Sequence, residues 1–180
     1  MSHRFLPTLA AGALALGVAC AVPAQSVAPN NTDSSFIKEA AADGMAEVQM
    51  GRMALGKSSN AQVKQLAHRI IEDHTKANDK LRMLAQKKNV TLPATPTAEA
   101  RQEAASMKSM DGAGFDRAWA AAMVKDHTKA IDLFTTETQQ AKDADVRQFA
   151  ETTTPVLRTH LDMAQKLAGG SSMSEPDMGH

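Results

Sequence analysis

The chain has 180 residues with 20 basic and 20 acidic side chains, and 43% of it is hydrophobic. That is enough apolar content for one globular domain with a real core. Zero formal net charge offers no basic face to phosphate backbones, and 3% aromatics with no Tyr and one Trp offer no platforms for stacked bases, so nucleic-acid recognition is excluded.

At the start, Arg4 precedes an almost unbroken apolar run from Phe5 to Val22, and Val22-Pro23-Ala24 places small residues where a signal peptidase reads. Export with cleavage after Ala24 is expected, leaving a mature chain of 156 residues in the periplasm or outside the cell. A membrane anchor is the alternative. The run is near the minimum length of a span and lacks a positive stop-transfer flank, so no transmembrane span is expected in the mature chain. The sole cysteine, Cys20, lies in this segment, so a mature chain cut at Ala24 has neither a disulfide nor a thiolate site. A rival reading makes Cys20 a lipid-bearing first residue after Gly17-Val18-Ala19, with Gly17 a poor match to the larger aliphatic expected there.

A polar leader over 25–33 follows, rich in turn formers. The domain is expected over 34–168. Asp33, Ser34 and Ser35 offer N-cap oxygens to a first helix over about 36–55, with the stripe Ile37, Ala40, Gly44, Glu47, Gly51, Ala54. Ser59 and Gln62 form a capping-box pattern before a second helix over about 60–88. Its stripe is Val63, Leu66, Ile70, His74, Ala77, Leu81, Leu84. The short turn between these helices makes them antiparallel.

Residues 89–111 form a long connection. Pro93 and Pro96 cannot continue a helix, and 97–110 reads as a short crossing helix before the breaker Asp111-Gly112-Ala113-Gly114. The connection is long enough to return along the bundle, which makes the second and third helices parallel neighbours. The third helix is expected over about 115–140, with stripe Ala120, Met123, His127, Ala130, Phe134. Asp143 is the N-cap candidate of a fourth helix over about 144–167, whose stripe is Val146, Phe149, Thr153, Val156, His160, Ala164, Leu167. Pro155 falls inside it and withdraws one backbone hydrogen bond. Gly169 and Gly170 stop it, and a tail over 169–180 is expected to be disordered. Two short turns and one long crossover define an all-α, ferritin-like four-helix bundle.

The stretch Asp73-His74-Thr75-Lys76-Ala77 recurs as Asp126-His127-Thr128-Lys129-Ala130, offset by 53 residues. Each stripe carries one residue able to ligate a metal: Glu47, His74, His127 and His160. Counting residues from the turns places His74 and His127 within about one rise of ~1.5 Å, and the other offsets within about a helical turn. The four can therefore meet in one mid-bundle layer. Three imidazoles and a carboxylate suit a divalent transition metal such as zinc, copper, iron or nickel. The bland alternative is a metal-free polar layer that holds the helices in register. Asp73 and Asp126 stand about 100° round from their histidines, facing solvent or orienting an imidazole. The methionines at helical spacing read as core filler, and His68 reads as surface.

The segments Ala46-Glu47-Val48-Gln49-Met50-Gly51, Ile71-Glu72-Asp73-His74-Thr75-Lys76-Ala77-Asn78, Met123-Val124-Lys125-Asp126-His127 and Pro155-Val156-Leu157-Arg158-Thr159-His160-Leu161 resemble the exported bacterial "domain of unknown function 4142" proteins. The resemblance covers roughly residues 34–168. It implies a ferritin-like four-helix fold and export, and no established activity. Di-iron relatives of ferritin need Glu-x-x-His on two helices. Here the positions three before His74, His127 and His160 are Ile71, Val124 and Leu157, which argues against ferroxidase chemistry. There is no phosphate loop, serine elbow or mature-chain cysteine nucleophile. The leading expectation is therefore an exported, non-enzymatic metal-binding or metal-buffering bundle. The alternatives are an envelope module with a protein partner or a second copy of itself, and a redox enzyme on a mononuclear site.

Overall fold

The computed structural model describes residues 31–169. They form five α-helices: α1 (Asn31–Lys57), α2 (Ala61–Lys88), α3 (Ala98–Met107), α4 (Gly112–Gln140) and α5 (Ala144–Ala168). No strand occurs among the described residues. The long helices α1, α2, α4 and α5 are the four expected, and α3 is the crossing helix. The expected signal peptide, Cys20 and the tail beyond Gly169 lie outside the described residues.

Side chains at the helix ends explain the boundaries. Asn60, not Ser59, caps α2 by accepting the N–H groups of Gln62 (2.9 Å) and Val63 (3.4 Å). At the other end Asn89 adopts the left-handed conformation (φ 56°, ψ 36°), which asparagine tolerates better than most residues. Thr97 caps α3 through Ala100 N–H (3.1 Å). Asp143 caps α5 as expected, accepting from Asp145 N–H (3.0 Å) and Val146 N–H (3.2 Å). The first helix starts five residues early, at Asn31. Asp33 is thus within its first turn and does not cap it. Instead it accepts the N–H groups of Lys142 (3.3 Å) and Asp143 (2.9 Å) across the bundle.

Those cross-bundle bonds define the topology. Lys88, buried at the end of α2, pairs with Asp143 and with Asp145 (2.8 Å) at the α4–α5 turn. At the opposite end Lys57 donates to Met110 O (2.9 Å) and Asp111 (2.8 Å) just before α4. The start of α1, the ends of α2 and α4, and the start of α5 therefore share one end of the bundle. This makes α2 parallel to α4 and α1 parallel to α5, and the crossover spans the bundle length. This is the ferritin-like arrangement. The helices in extensive contact are α1 with α2 and α4, and α5 with α4 and α2. The parallel pair α2 and α4 is therefore diagonal across the core, not adjacent as expected, because each hairpin packs on the other in antiparallel register.

The apolar stripes bury two separate clusters. One, towards the α4–α5 turn, includes Phe36, Leu81, Phe134, Phe149 and Leu157. The other, towards the α1–α2 turn, includes Leu66, Ile70, Phe115, Trp119 and Met123. Each fully buried large apolar side chain contributes about 1.5–3 kcal/mol. The Trp119 indole N–H donates to Met50 O at 3.1 Å, so its burial leaves no donor unpaired. On α5 the stripe passes through Leu157 (3% exposed) rather than the half-buried Val156. Pro155 lies exposed inside the helix, and the hydroxyls of Thr153 and Thr154 turn back onto the carbonyls of Phe149 and Ala150 (both 2.8 Å).

Near the α4–α5 turn, buried Glu137 meets Asp33. Burial first, and the Asp33 carboxylate second, push the Glu137 carboxyl up to about 7, so it is protonated and donates to Asp33. A raised folded-state value stabilises the fold fully below its unfolded value near 4.5 and loses that contribution as pH climbs towards 7. Glu137→Gln, which keeps a donor and removes the ionisation, should raise the thermal midpoint above wild type at pH 8 and change it little at pH 5. Equal shifts at both pH values in thermal melts would contradict this pairing.

Candidate metal centre

Between the two apolar clusters lies one polar layer. Glu47 (6% exposed) comes from α1, His74 (9%) from α2, His127 (1%) from α4 and His160 (0%) from α5. Each replaces an apolar residue in its helix's stripe, so packing that stripe forces the polar group inward. The imidazole rings form a triangle, with centroids 5.6 Å apart for His74–His127, 5.5 Å for His74–His160 and 5.2 Å for His127–His160. One ring nitrogen from each lies within 4.8 Å of the other two.

The partners of the remaining nitrogens determine the tautomers. His127 Nδ1 is 2.9 Å from Met123 O, a pure acceptor, so Nδ1 carries the proton and Nε2 a lone pair. His160 Nε2 is 3.0 Å from Asp73 Oδ2, so Nε2 donates and Nδ1 is a lone pair in the neutral ring. These two lone-pair nitrogens face each other at 3.2 Å. His74 Nε2 is buried with no hydrogen-bond partner. Burial is the first cause holding all three rings neutral. It lowers His74 well below the ordinary histidine range, with the other two imidazoles adding to the shift. It lowers His127 to about 4, and lowers His160 despite the opposing pull of Asp73.

The Asp73 carboxylate also lies 3.7 Å from Arg69 Nε. It therefore orients the imidazole on α5, not the one beside it in sequence. The hundred-degree step between adjacent helical residues turns Asp73 away from His74 and towards the neighbouring helix. The same step makes Asp126 half-buried beside His127. His68 is exposed.

Glu47 stands apart from the triangle. Its Oε1 is 3.8 Å from His127 Nδ1, the nitrogen already bonded to Met123 O, and so lies on the far side of that ring. Its Oε2 is buried without a partner. Burial, then the nearby Asp126, Asp43 and Glu103 carboxylates, raise Glu47 well above the carboxylate range. Glu47, His74 and His127 line a cavity of about 80 Å³ that opens under α3. Gly44 also borders it. A Cβ there would fall 2.2 Å from Asn78 Oδ1, so a glycine is what lets Asn78 close the wall between α1 and α2.

The arrangement is testable by histidine side-chain nitrogen NMR on metal-free protein at pH 7.5. Proton-bearing Nδ1 in His127 and proton-bearing Nε2 in His160 are expected. Swapped assignments would remove the facing lone pairs.

A family model described as "Domain of unknown function (DUF4142)" matches residues 18–167. No curated protein matches the chain. Among solved structures, a DUF305 fragment from Deinococcus radiodurans is 14% identical, with a TM-score of 0.71 over 78% of this chain and 97% of that one. CopM in its Cu(II)-bound form is 17% identical, with a TM-score of 0.66 over 76% of this chain and 95% of that one. A conserved hypothetical protein from Mycobacterium tuberculosis is 16% identical, with a TM-score of 0.62 over 80% and 95%. At these identities the likeness is one of fold. No helix among the described residues is long and apolar enough to cross a membrane.

Proposed function

The chain belongs to the domain of unknown function 4142 family, and we propose that this member is an exported, non-enzymatic bundle that holds or buffers one divalent transition metal ion on His74, His127 and His160. One observation carries the reading. The lone pairs of His127 Nε2 and His160 Nδ1 face each other at 3.2 Å. Unfilled, such a pair repels. A tetrahedral ion with bonds of about 2.0 Å has ligand atoms about 3.3 Å apart, so one ion turns that repulsion into two bonds. His74 Nε2 supplies the third ligand from the diagonal helix.

The surroundings support it. Metal ligands must be deprotonated, and all three rings are held neutral. Ligating histidines commonly donate their second N–H to a carbonyl or carboxylate, as His127 does to Met123 O and His160 to Asp73. Three imidazoles suit zinc, copper, iron or nickel. CopM, a protein of the same fold, has structures described as Cu(II)-bound and Ag-bound, which favours copper among these. The cavity beside His74 and His127 leaves a coordination position open to exchange, as buffering requires. Glu47, on the Nδ1 side of His127, stands outside this set of three. Export through the segment ending at Ala24 places the bundle where ions arrive from outside the cytoplasm.

A second reading rests on the same 3.2 Å contact. One shared proton would tie α4 to α5 with no metal, making the layer a register device for an envelope interaction module. It leaves His74 Nε2 without a partner.

Untagged protein loaded with zinc or copper should bind one equivalent. At a hundredfold excess over Kd it should gain about 2.7 kcal/mol, or roughly 5–10 °C in midpoint. His74→Gln removes the ring of the three that makes no hydrogen bond, so it should abolish that gain and leave the metal-free midpoint nearly unchanged. Absence of any metal-dependent shift in wild type would leave the register reading.

A further inference from the structure

The cavity that reaches His74 and His127 has a charged character that the imidazole triangle does not explain. Five carboxylates line it: Asp43 and Glu47 from α1, Glu99 and Glu103 from α3, and Asp126 from α4. Two cations, Lys125 and Lys129, also line it. Lys125 donates to Glu103 at 2.7 Å and lies 3.7 Å from Asp126, and Lys129 lies 3.3 Å from Glu39, which is not part of the lining. Counted with the histidines neutral and all five carboxylates ionised, the lining carries a formal excess of three negative charges, and burial with the neighbouring carboxylates favours the protonated form of Glu47 until a cation arrives. The overall chain is neutral, so this is a local concentration of charge.

An acidic surface alone would be an ordinary solvated face. Glu47 is different. It is 6% exposed, it lines the cavity, and its Oε2 is buried without a hydrogen-bond partner. A buried carboxylate oxygen without a donor costs about 1–3 kcal/mol or more unless something positive meets it. The lysines that share the cavity pair with other carboxylates. His127 presents to Glu47 a nitrogen whose proton is already committed to Met123 O. The lining therefore supplies no partner for Oε2 and surrounds it with further carboxylates.

We propose that Glu47, Asp43 and Asp126 form a carboxylate loading site, which takes a hydrated divalent cation through the opening under α3 and hands it to the imidazoles of His74 and His127. This rests on the metal-holding reading of the triangle and adds a route and a second site to it. The chemistry is ordered by depth. Oxygen donors at the mouth hold ions that keep part of their water. Nitrogen donors in the core prefer borderline transition metals and complete the dehydration. His160, absent from the cavity lining, is reached last. The crossover helix forms one wall of the route, so it contributes Glu99 and Glu103 to the capture of charge as well as linking the hairpins. A low-dielectric cleft lined with one sign of charge raises cation on-rates by about 10–1,000-fold.

Stopped-flow mixing of the metal-free full chain with Co(II), followed by the visible bands of imidazole-ligated cobalt, tests this. Wild-type uptake should be fast and should slow with added salt. Asp43→Asn/Glu47→Gln/Asp126→Asn should take up Co(II) at least about tenfold more slowly, with little salt dependence. The band amplitude at saturation separates slow filling from a lost site. Lys125→Gln/Lys129→Gln, changed at the surface, should instead speed uptake several-fold, and this second variant decides the matter if the first does not fold. Wild-type rates in both variants would overturn the loading site while leaving the three-histidine site intact. A wild-type protein that shows no cobalt bands would overturn both.

Discussion

Everything in this bundle is arranged around the cost of burying three neutral imidazoles. A core made only of the apolar stripes would be simpler and at least as stable, since a buried polar group must find partners for every donor and acceptor. Here two of the three rings have their donors matched. Met123 O accepts from one ring and Asp73 from another, and Arg69 in turn lies beside Asp73. The acceptors are not matched. The lone pairs of His127 Nε2 and His160 Nδ1 face each other, and His74 Nε2 is buried without a partner. A layer held only by hydrogen bonds would distribute its protons to use both.

The remaining structure holds that geometry still. Two apolar clusters clamp the layer from above and below. Buried ion pairing of Lys88 with Asp143 and Asp145 locks the far end of α2 to the α4–α5 turn, and Asp33 ties the start of α1 to the same turn. These are contacts between hairpins rather than within them. They set the axial position of α2 against α4 and α5, and the heights of the histidines follow from it. The crossover completes the scheme by keeping one flank of the layer covered by a short helix, which follows a stretch carrying Pro93 and Pro96.

Much of this was legible in the residue pattern. Steps of three and four through Val63, Leu66, Ile70 and His74, and through Ala120, Met123 and His127, are sufficient to put both imidazoles inside. Helical rise then puts them at one height once the long crossover is recognised. What the pattern cannot express is which way a ring faces. Glu47 shares the height and the burial of the histidines, yet it approaches His127 from behind, because α1 and α5 pack on different flanks of α4. Asp73 adjoins His74 in sequence and serves His160 in space. Asp33 has the composition of an N-cap, and the helix simply continues past it, because two backbone N–H groups of the α4–α5 turn are better placed to use its oxygens. Position 157 replaces position 156 on the α5 stripe, a one-residue shift just beyond Pro155. In each case periodicity identifies the buried residue, and long-range packing decides its partner.

One consequence follows from how the triangle is divided between the hairpins. His127 and His160 belong to the α4–α5 hairpin and His74 to the α1–α2 hairpin, so neither hairpin alone owns a complete set of donors. The third nitrogen arrives only when the two halves dock in the correct axial register. Closure of the triangle is therefore a readout of assembly, sensitive to a slip of one helical turn that circular dichroism would miss. A chain whose hairpins had each formed perfectly and met one turn out of step would be fully helical and unable to close the triangle.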